Sequence, residues 1–160
     1  MTDPLADTPA VADPHRFDTA SLHRYLREHA QGFDGPLKVE QFKGGQSNPT
    51  FLLMAGDGRY VLRKKPDGAL LPSAHAIERE YRVMRALQCA DVPVPHTFFL
   101  CEDASVIGTA FCVMEHVPGR ILRGPAPPGM TAAERAASFD RMNATIAALH
   151  RVDVSAAGAW

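Results

Sequence analysis

The sequence has few cysteines, almost no net charge and no long apolar run, and each of these shortages excludes a class of protein. Its three cysteines, Cys89, Cys101 and Cys112, are odd in number and widely spaced, so they form neither a disulfide framework nor a metal-ligand pattern and indicate a reducing compartment. The seven histidines contain no His-x-x-x-His pattern, and we predict no metal site from them.

The remaining composition is that of a soluble globular protein. No apolar run approaches the roughly 18 residues that a membrane-spanning helix needs, and the acidic start Met1-Thr2-Asp3-Pro4 has no apolar segment that would direct secretion. A formal net charge of −1 gives no electrostatic footprint for nucleic acid. With 46% apolar and 22% charged residues, we expect a cytoplasmic protein that binds neither membrane nor nucleic acid.

The order of the predicted elements indicates the fold class. Residues 1–16 are rich in Pro, Asp and Ala without periodicity, which predicts a disordered tail. The hydrophobic patterns then predict helices from Asp18, over 74–89 and from a Thr131 capping box, with strands over 37–42, 51–55, 59–64, 96–100 and 110–115. A hairpin, a basic strand and an acidic helix in this order predict an α+β fold with a five-stranded antiparallel sheet and a packed helix, laid out like the small lobe of a kinase.

The turn of the first hairpin contains two glycines followed by short polar residues. Gly44, Gly45, Gln46, Ser47 and Asn48 can bring backbone N–H groups close to an anion. No Gly-Lys-Ser/Thr follows, so this is not a Walker A loop. The pattern leaves two readings open, an anion-binding loop and an ordinary hairpin turn.

The third predicted strand and the second helix carry a candidate ion pair. Strand alternation places Val61 and Arg63 on one face, so that Arg63 lies beyond an apolar slot formed by Val61. Glu80 lies on the apolar side of its helix and needs a cationic partner, for which Arg63 is the candidate. Pairing of Glu80 with Arg79 or Arg85 on the helix surface is the alternative. We expect Lys64 and Lys65, at the strand end, to be exposed to solvent.

The last predicted strand ends in a connector whose main chain could meet a nucleotide base. The strand runs into Glu115-His116-Val117-Pro118-Gly119, which breaks the strand pattern. A strand that leaves a sheet at such a point exposes backbone C=O and N–H groups that could bond an adenine edge.

Four motifs in this order resemble the aminoglycoside phosphotransferase superfamily, and most closely the phosphotransferase domain associated with acyl-CoA dehydrogenases. The motifs are Gly44-Gly45-Gln46-Ser47-Asn48-Pro49-Thr50-Phe51, Tyr60-Val61-Leu62-Arg63-Lys64-Lys65-Pro66, Ala76-Ile77-Glu78-Arg79-Glu80-Tyr81 and Val113-Met114-Glu115-His116-Val117-Pro118-Gly119. The likeness begins near Phe42 and continues to Trp160.

The resemblance implies a protein-kinase-like fold that binds ATP with Mg²⁺ between two lobes. Residues 17–117 would be the ATP-binding small lobe, and residues 118–160 a linker and the first helical part of the large lobe. The implied nucleotide-binding residues are Gly44, Gly45, Gln46, Ser47 and Asn48 in the phosphate loop, Arg63 with its partner Glu80, and Val61, Met114, Glu115 and Val117 around the adenine. The implied acceptor is a hydroxyl group on a small molecule, with a hydroxyacyl-CoA as one candidate.

The sequence departs from the family pattern because it contains no His-Gly-Asp catalytic loop. We therefore expect no catalytic residue and no Mg²⁺ ligand within these 160 residues, and a chain that is inactive alone, as a fragment or a truncated product. The alternative function is a non-catalytic nucleotide-binding or regulatory half. The helix over residues 131–150 carries an apolar stripe that could support self-association, and an unrelated α+β domain is the remaining reading.

Overall fold

The computed structural model describes residues 15–43, 48–66, 68, 76–119 and 129–153. Residues 1–14 of the predicted tail and the loop residues Gly44 to Ser47 therefore lie outside the described residues. The domain boundaries predicted above remain predictions.

A five-stranded antiparallel sheet forms the centre of the fold, as predicted from the sequence. Its strands follow the spatial order β1-β2-β3-β5-β4. The strands are β1 (Leu37–Gln41), β2 (Thr50–Ala55), β3 (Gly58–Lys64), β4 (Thr97–Cys101) and β5 (Phe111–Glu115). The helices are α1 (Thr19–His29), α2 (Ile77–Leu87), α3 (Ala104–Ile107) and α4 (Ala132–His150).

Helix α1 covers one face of the sheet. Asp18 caps it, accepting hydrogen bonds from the backbone N–H groups of Ala20 and Ser21. Leu22 and Leu26 lie one helical turn apart and are both fully buried. They pack into a core that includes Phe51 from the sheet. The predicted helix from Asp18 is thus confirmed, with Asp18 as its cap.

Helix α2 lies on the opposite face of the sheet. Ile77 is its one buried residue, and it packs with Cys112 and Met114 of β5 in a second apolar cluster. The helix covers residues 77–87 rather than the predicted 74–89; residues 74 and 75 lie outside the described part, and residues 88 and 89 form a turn. The inward side of α2 therefore faces the same side of the sheet as Val61.

Lys64 is fully buried, so the prediction that it would be exposed is wrong. Strand alternation places Lys64 on the α1 side with Leu62, and the segment before α1 covers that side. The ammonium of Lys64 lies 5.8 Å from the centre of the Phe17 ring. Phe17 in turn contacts Phe51 edge-on, with ring centres 5.1 Å apart. Lys65, by contrast, is partly exposed.

Of the two remaining helices, α4 was predicted from the sequence and α3 was not. The Thr131 capping box is confirmed: Thr131 accepts from the Glu134 N–H while the Glu134 carboxylate accepts from the Thr131 N–H. Helix α4 carries no buried residue. The single-turn helix α3, capped by Asp103, is too short for its periodicity to be detected. No helix in the described part of the chain is long and apolar enough to cross a membrane.

Candidate functional site

A pocket of about 490 Å³ lies beside the sheet on the α2 side, and it contains most of the described residues predicted to bind a nucleotide. Val61 and Arg63 of β3 line it together with Met114 and Glu115 of β5 and Val117 of the connector. Val61 pairs with Met114 across the β3–β5 ladder, and both contribute apolar surface. The pocket therefore has an apolar slot between two central strands and a cation further along one of them.

The cation is Arg63, which forms the predicted ion pair with Glu80. Nη1 of Arg63 lies 2.6 Å from Oε1 of Glu80, and the two side chains are 31% and 27% exposed. Pairing of Glu80 with Arg79 or Arg85 was the alternative; Arg85 instead donates to the Tyr81 hydroxyl. The pair joins β3 to α2 at one end of the pocket.

Asn48 is the second residue that contacts the Glu80 carboxylate. Nδ2 of Asn48 donates to Oε2 of Glu80 at 3.2 Å, and Asn48 is only 6% exposed. The carboxylate therefore uses one oxygen for Arg63 and the other for Asn48. Oδ1 of Asn48 and Nε of Arg63 are buried atoms without a hydrogen-bond partner among the described residues.

The other end of the pocket is the strand β5 and its connector, which His96 fixes in place. The Glu115 N–H donates to the His96 carbonyl at 2.7 Å, and the His96 N–H donates to Oε2 of Glu115 at 3.2 Å. The amide of Gln88, just beyond α2, donates to the Pro95 carbonyl at 3.1 Å. Because the Glu115 side chain is held by His96, it is turned toward β4. Val117 is 59% exposed at the pocket mouth.

Cys112 lies on β5 beside the ion pair and contributes packing rather than reactivity. It is the ladder partner of Arg63 and is fully buried. Burial raises the pKa of the Cys112 thiol to about 12, with the negative charge of Glu80 raising it further and Arg63 opposing. The thiol is therefore neutral at physiological pH and is not a nucleophile.

The structure brings together Asn48, Arg63 and Glu80 in one cluster and Val61, Met114, Glu115 and Val117 in the adjoining pocket. Gly44, Gly45, Gln46 and Ser47 lie outside the described residues. The predicted binding residues left out six lining residues, which are His116, Pro118 and Gly119 of the connector and Phe42, Thr50 and Pro95. Phe42 and Thr50 could have been found, because they close the hairpin on either side of the glycine loop. Pro95 gives no local signal, since it reaches the pocket only through the pairing of β4 with β5.

The chain matches the family described as "Phosphotransferase enzyme family" over residues 38–159. It is 49% identical over 157 residues to acyl-CoA dehydrogenase family member 11 of Mus musculus, covering 96% of this chain and 20% of that protein. It is 52% identical over 140 residues to family member 10 of Mus musculus, covering 85% of this chain and 13% of that protein.

A solved structure supports the same assignment. A chain from Ralstonia eutropha, named as an aminoglycoside phosphotransferase, is 55% identical and superposes with a TM-score of 0.75, covering 89% of this chain and 41% of that one. The chain thus spans about a fifth or less of the curated relatives it matches and less than half of the solved structure. The resemblance first indicated by the four motifs is confirmed, and the chain belongs to the phosphotransferase enzyme family, with its protein-kinase-like fold.

Proposed function

We propose that this chain binds ATP in the pocket beside Val61 and Met114, as the nucleotide-binding part of a kinase that phosphorylates a small-molecule hydroxyl. The observation that carries the proposal is the Arg63–Glu80 pair, whose arginine lines the same pocket as the apolar slot and the connector after β5. An apolar slot for a base, main-chain groups at its edge and a fixed cation at its far end are the three features that kinase nucleotide sites share.

The pocket has the size and composition that an adenine needs. A volume of about 490 Å³ falls within the roughly 300–1,000 Å³ of small-molecule sites. Val61 and Met114 provide apolar surface for the flat faces of the base. The carbonyl of Glu115 and the main chain of Val117 would bond the adenine edge, because both the N–H and the side chain of Glu115 are already held by His96.

Arg63 would hold the phosphates. A guanidinium has five N–H donors in a fixed plane, and only one contact to Glu80 is formed here. Its Nε has no partner among the described residues, and the side chain still lines the pocket. Anionic oxygens are the acceptors that such a donor set selects. The loop residues Gly44, Gly45, Gln46 and Ser47 would add backbone N–H groups to the same phosphates.

Mg²⁺ would neutralise charge on the phosphates. No group of three or more His, Cys, Asp or Glu side chains comes together in the described part of the chain. Both oxygens of Glu80 are engaged by Arg63 and Asn48. We propose that the Mg²⁺ ligands and the catalytic base come from elsewhere, so that these 160 residues bind the nucleotide without transferring its phosphate.

The acceptor that we propose is a hydroxyl group on a small molecule, with a hydroxyacyl-CoA as the leading candidate. The names of the relatives support this, since two of them are acyl-CoA dehydrogenase family members. We propose in addition that the chain self-associates through three exposed apolar side chains of α4, Phe139, Met142 and Ile146.

Calorimetry of ATP binding tests the nucleotide proposal, with and without Mg²⁺, on the wild-type chain and on Arg63→Ala. We expect binding that Arg63→Ala weakens at least about 10-fold, because a charged hydrogen bond to phosphate is lost. Arg82→Ala, on the exposed side of α2, is the matched control and should bind like the wild type. No binding at millimolar ATP, or equal binding by Arg63→Ala, would overturn the proposal.

A further inference from the structure

Asn48 is a buried polar residue whose position is fixed by the chain on its C-terminal side. The Thr50 hydroxyl donates to the Asn48 carbonyl at 3.0 Å, and the Lys64 N–H donates to the Pro49 carbonyl at 3.1 Å. Pro49 also restricts the backbone of Asn48 to extended conformations. The side chain therefore extends from a backbone that is fixed just before β2, and it contacts Glu80, which lies 32 positions later in the sequence.

The contact with Glu80 decides how that carboxylate is shared. A carboxylate can bind an arginine with both oxygens at once. Here the Asn48 amide donates to Oε2, and the Arg63 contact is made to Oε1. Arg63 consequently keeps more of its N–H groups available to the pocket than it would in a bidentate pair with Glu80.

We propose that Asn48 is a positioning residue that turns Arg63 toward the nucleotide phosphates by holding one oxygen of Glu80. The inference rests on the proposed ATP binding and adds to it a residue that acts through another rather than on the phosphate itself. Without the Asn48 amide, Glu80 rotates onto Arg63 and competes with the phosphates for its N–H donors. The loss is confined to ligands that carry phosphate, since Asn48 does not line the base pocket.

The test compares the affinities of Asn48→Ala for ATP and for adenosine, measured by NMR titration of the 160-residue chain. We expect ATP binding to weaken about 10-fold or more, the size of a hydrogen bond to a charged group. Adenosine binding should stay within about twofold of the wild type, because the base contacts are untouched. A general disturbance of the fold would weaken both ligands alike, and thermal unfolding of each variant shows that it is folded.

A paired substitution tests whether Asn48 acts through Glu80. Asn48→Asp places a second carboxylate against Glu80 and should weaken ATP binding more than Asn48→Ala does. Adding Glu80→Gln to Asn48→Asp restores a hydrogen bond with its direction reversed, from the Gln amide to the Asp carboxylate, and should raise ATP affinity above that of Asn48→Asp, up to the level of Glu80→Gln alone. Asn143→Asp on the exposed surface of α4 adds the same charge and is the matched control.

The outcomes separate this inference from the proposed function. ATP binding that depends on Arg63 but not on Asn48, or an equal loss of ATP and adenosine affinity in Asn48→Ala, overturns the role of Asn48 alone. Failure of the double substitution to recover ATP affinity also overturns the role of Asn48 alone. If the wild-type chain binds no ATP, the proposed function fails and this inference falls with it.

Discussion

Nη1 of Arg63 lies 2.6 Å from Oε1 of Glu80, and this contact joins the central strand β3 to helix α2 within the candidate nucleotide site. The two side chains are less than a third exposed, so the pair is only partly screened by solvent. Its main effect is to fix the direction of the guanidinium rather than to stabilise the fold, since partly exposed pairs contribute about 1 kcal/mol or less.

Glu80→Gln should weaken ATP binding while leaving the protein folded. A neutral amide holds Arg63 less firmly and turns a donor toward the Asn48 amide, so we expect roughly a 10-fold loss of affinity. The unfolding midpoint in urea should change little. Glu78→Gln on the same helix removes a carboxylate outside the cluster and serves as the control. Equal ATP affinities for Glu80→Gln and the wild type would contradict the orienting role of Glu80.

Lys64→Ala should destabilise the protein, unlike substitution of its neighbour Lys65. Lys64 is fully buried against Phe17, so alanine removes both a buried stem and a cation that lies over an aromatic ring. We expect a loss of about 2–4 kcal/mol in the free energy of unfolding, measured in urea. Lys65→Ala, at a partly exposed position, should cost less than about 1 kcal/mol. Equal losses for the two variants would mean that burial does not set the role of Lys64.

Arg63 and Lys64 show which contacts can be predicted from the sequence alone and which cannot. Strand alternation places Arg63 on the face of Val61, and helix periodicity turns Glu80 inward, so their pairing follows from two local rules. Burial of Lys64 depends on Phe17, which packs there from 47 positions earlier because α1 covers that face. The contact of Asn48 with Glu80 is similarly distant in sequence. Contacts of this kind depend on how elements pack, and no local pattern encodes them.

Gly32→Ala should destabilise the protein more than Gly108→Ala. Both glycines have positive φ, 88° and 90°, so each substitution carries a similar backbone cost. A Cβ at Gly32 would lie 2.6 Å from the Tyr60 hydroxyl, whereas nothing lies within 4 Å at Gly108. Tyr60 cannot easily move, because its ring contacts Phe33 and Phe98.

We expect the difference between the two glycine variants to be about 1–3 kcal/mol in urea unfolding, the cost of forcing extra volume into a packed site. Tyr60→Phe combined with Gly32→Ala removes the clashing hydroxyl and should recover part of the loss. If Gly32→Ala is no worse than Gly108→Ala, the Tyr60 ring is free to shift.

Helix α4 should cause concentration-dependent association of the 160-residue chain. Phe139, Met142 and Ile146 are each about half exposed, at 51%, 55% and 49%, and they follow one another along one face of the helix. In sedimentation, the apparent mass should rise with concentration and should fall toward the monomer in the double variant Phe139→Gln, Ile146→Gln. Val83→Gln replaces an exposed apolar residue on α2 and is the control. A monomer mass at every concentration would contradict self-association.

Cys112 should make the stability of the protein fall as the pH rises above about 8.5. Its pKa is raised to about 12 by burial in the folded chain, compared with about 8.5 in an unfolded one. The folded state therefore keeps a proton that the unfolded state releases, so the contribution is complete below about pH 8.5 and declines as pH rises toward 12. Tyr25, whose pKa burial also raises to about 12, contributes only above its unfolded pKa of about 10.

Urea unfolding of the wild type and of Cys112→Ala at several pH values in this range isolates the effect of the thiol. The alanine variant should be less stable at pH 7 because it leaves space in the second apolar cluster, but its stability should decline less as the pH rises above about 8.5. Cys89→Ala removes an exposed thiol and should keep the wild-type slope. Identical slopes for the wild type and Cys112→Ala would mean that the thiol beside Arg63 and Glu80 ionises as readily in the folded chain as in the unfolded one.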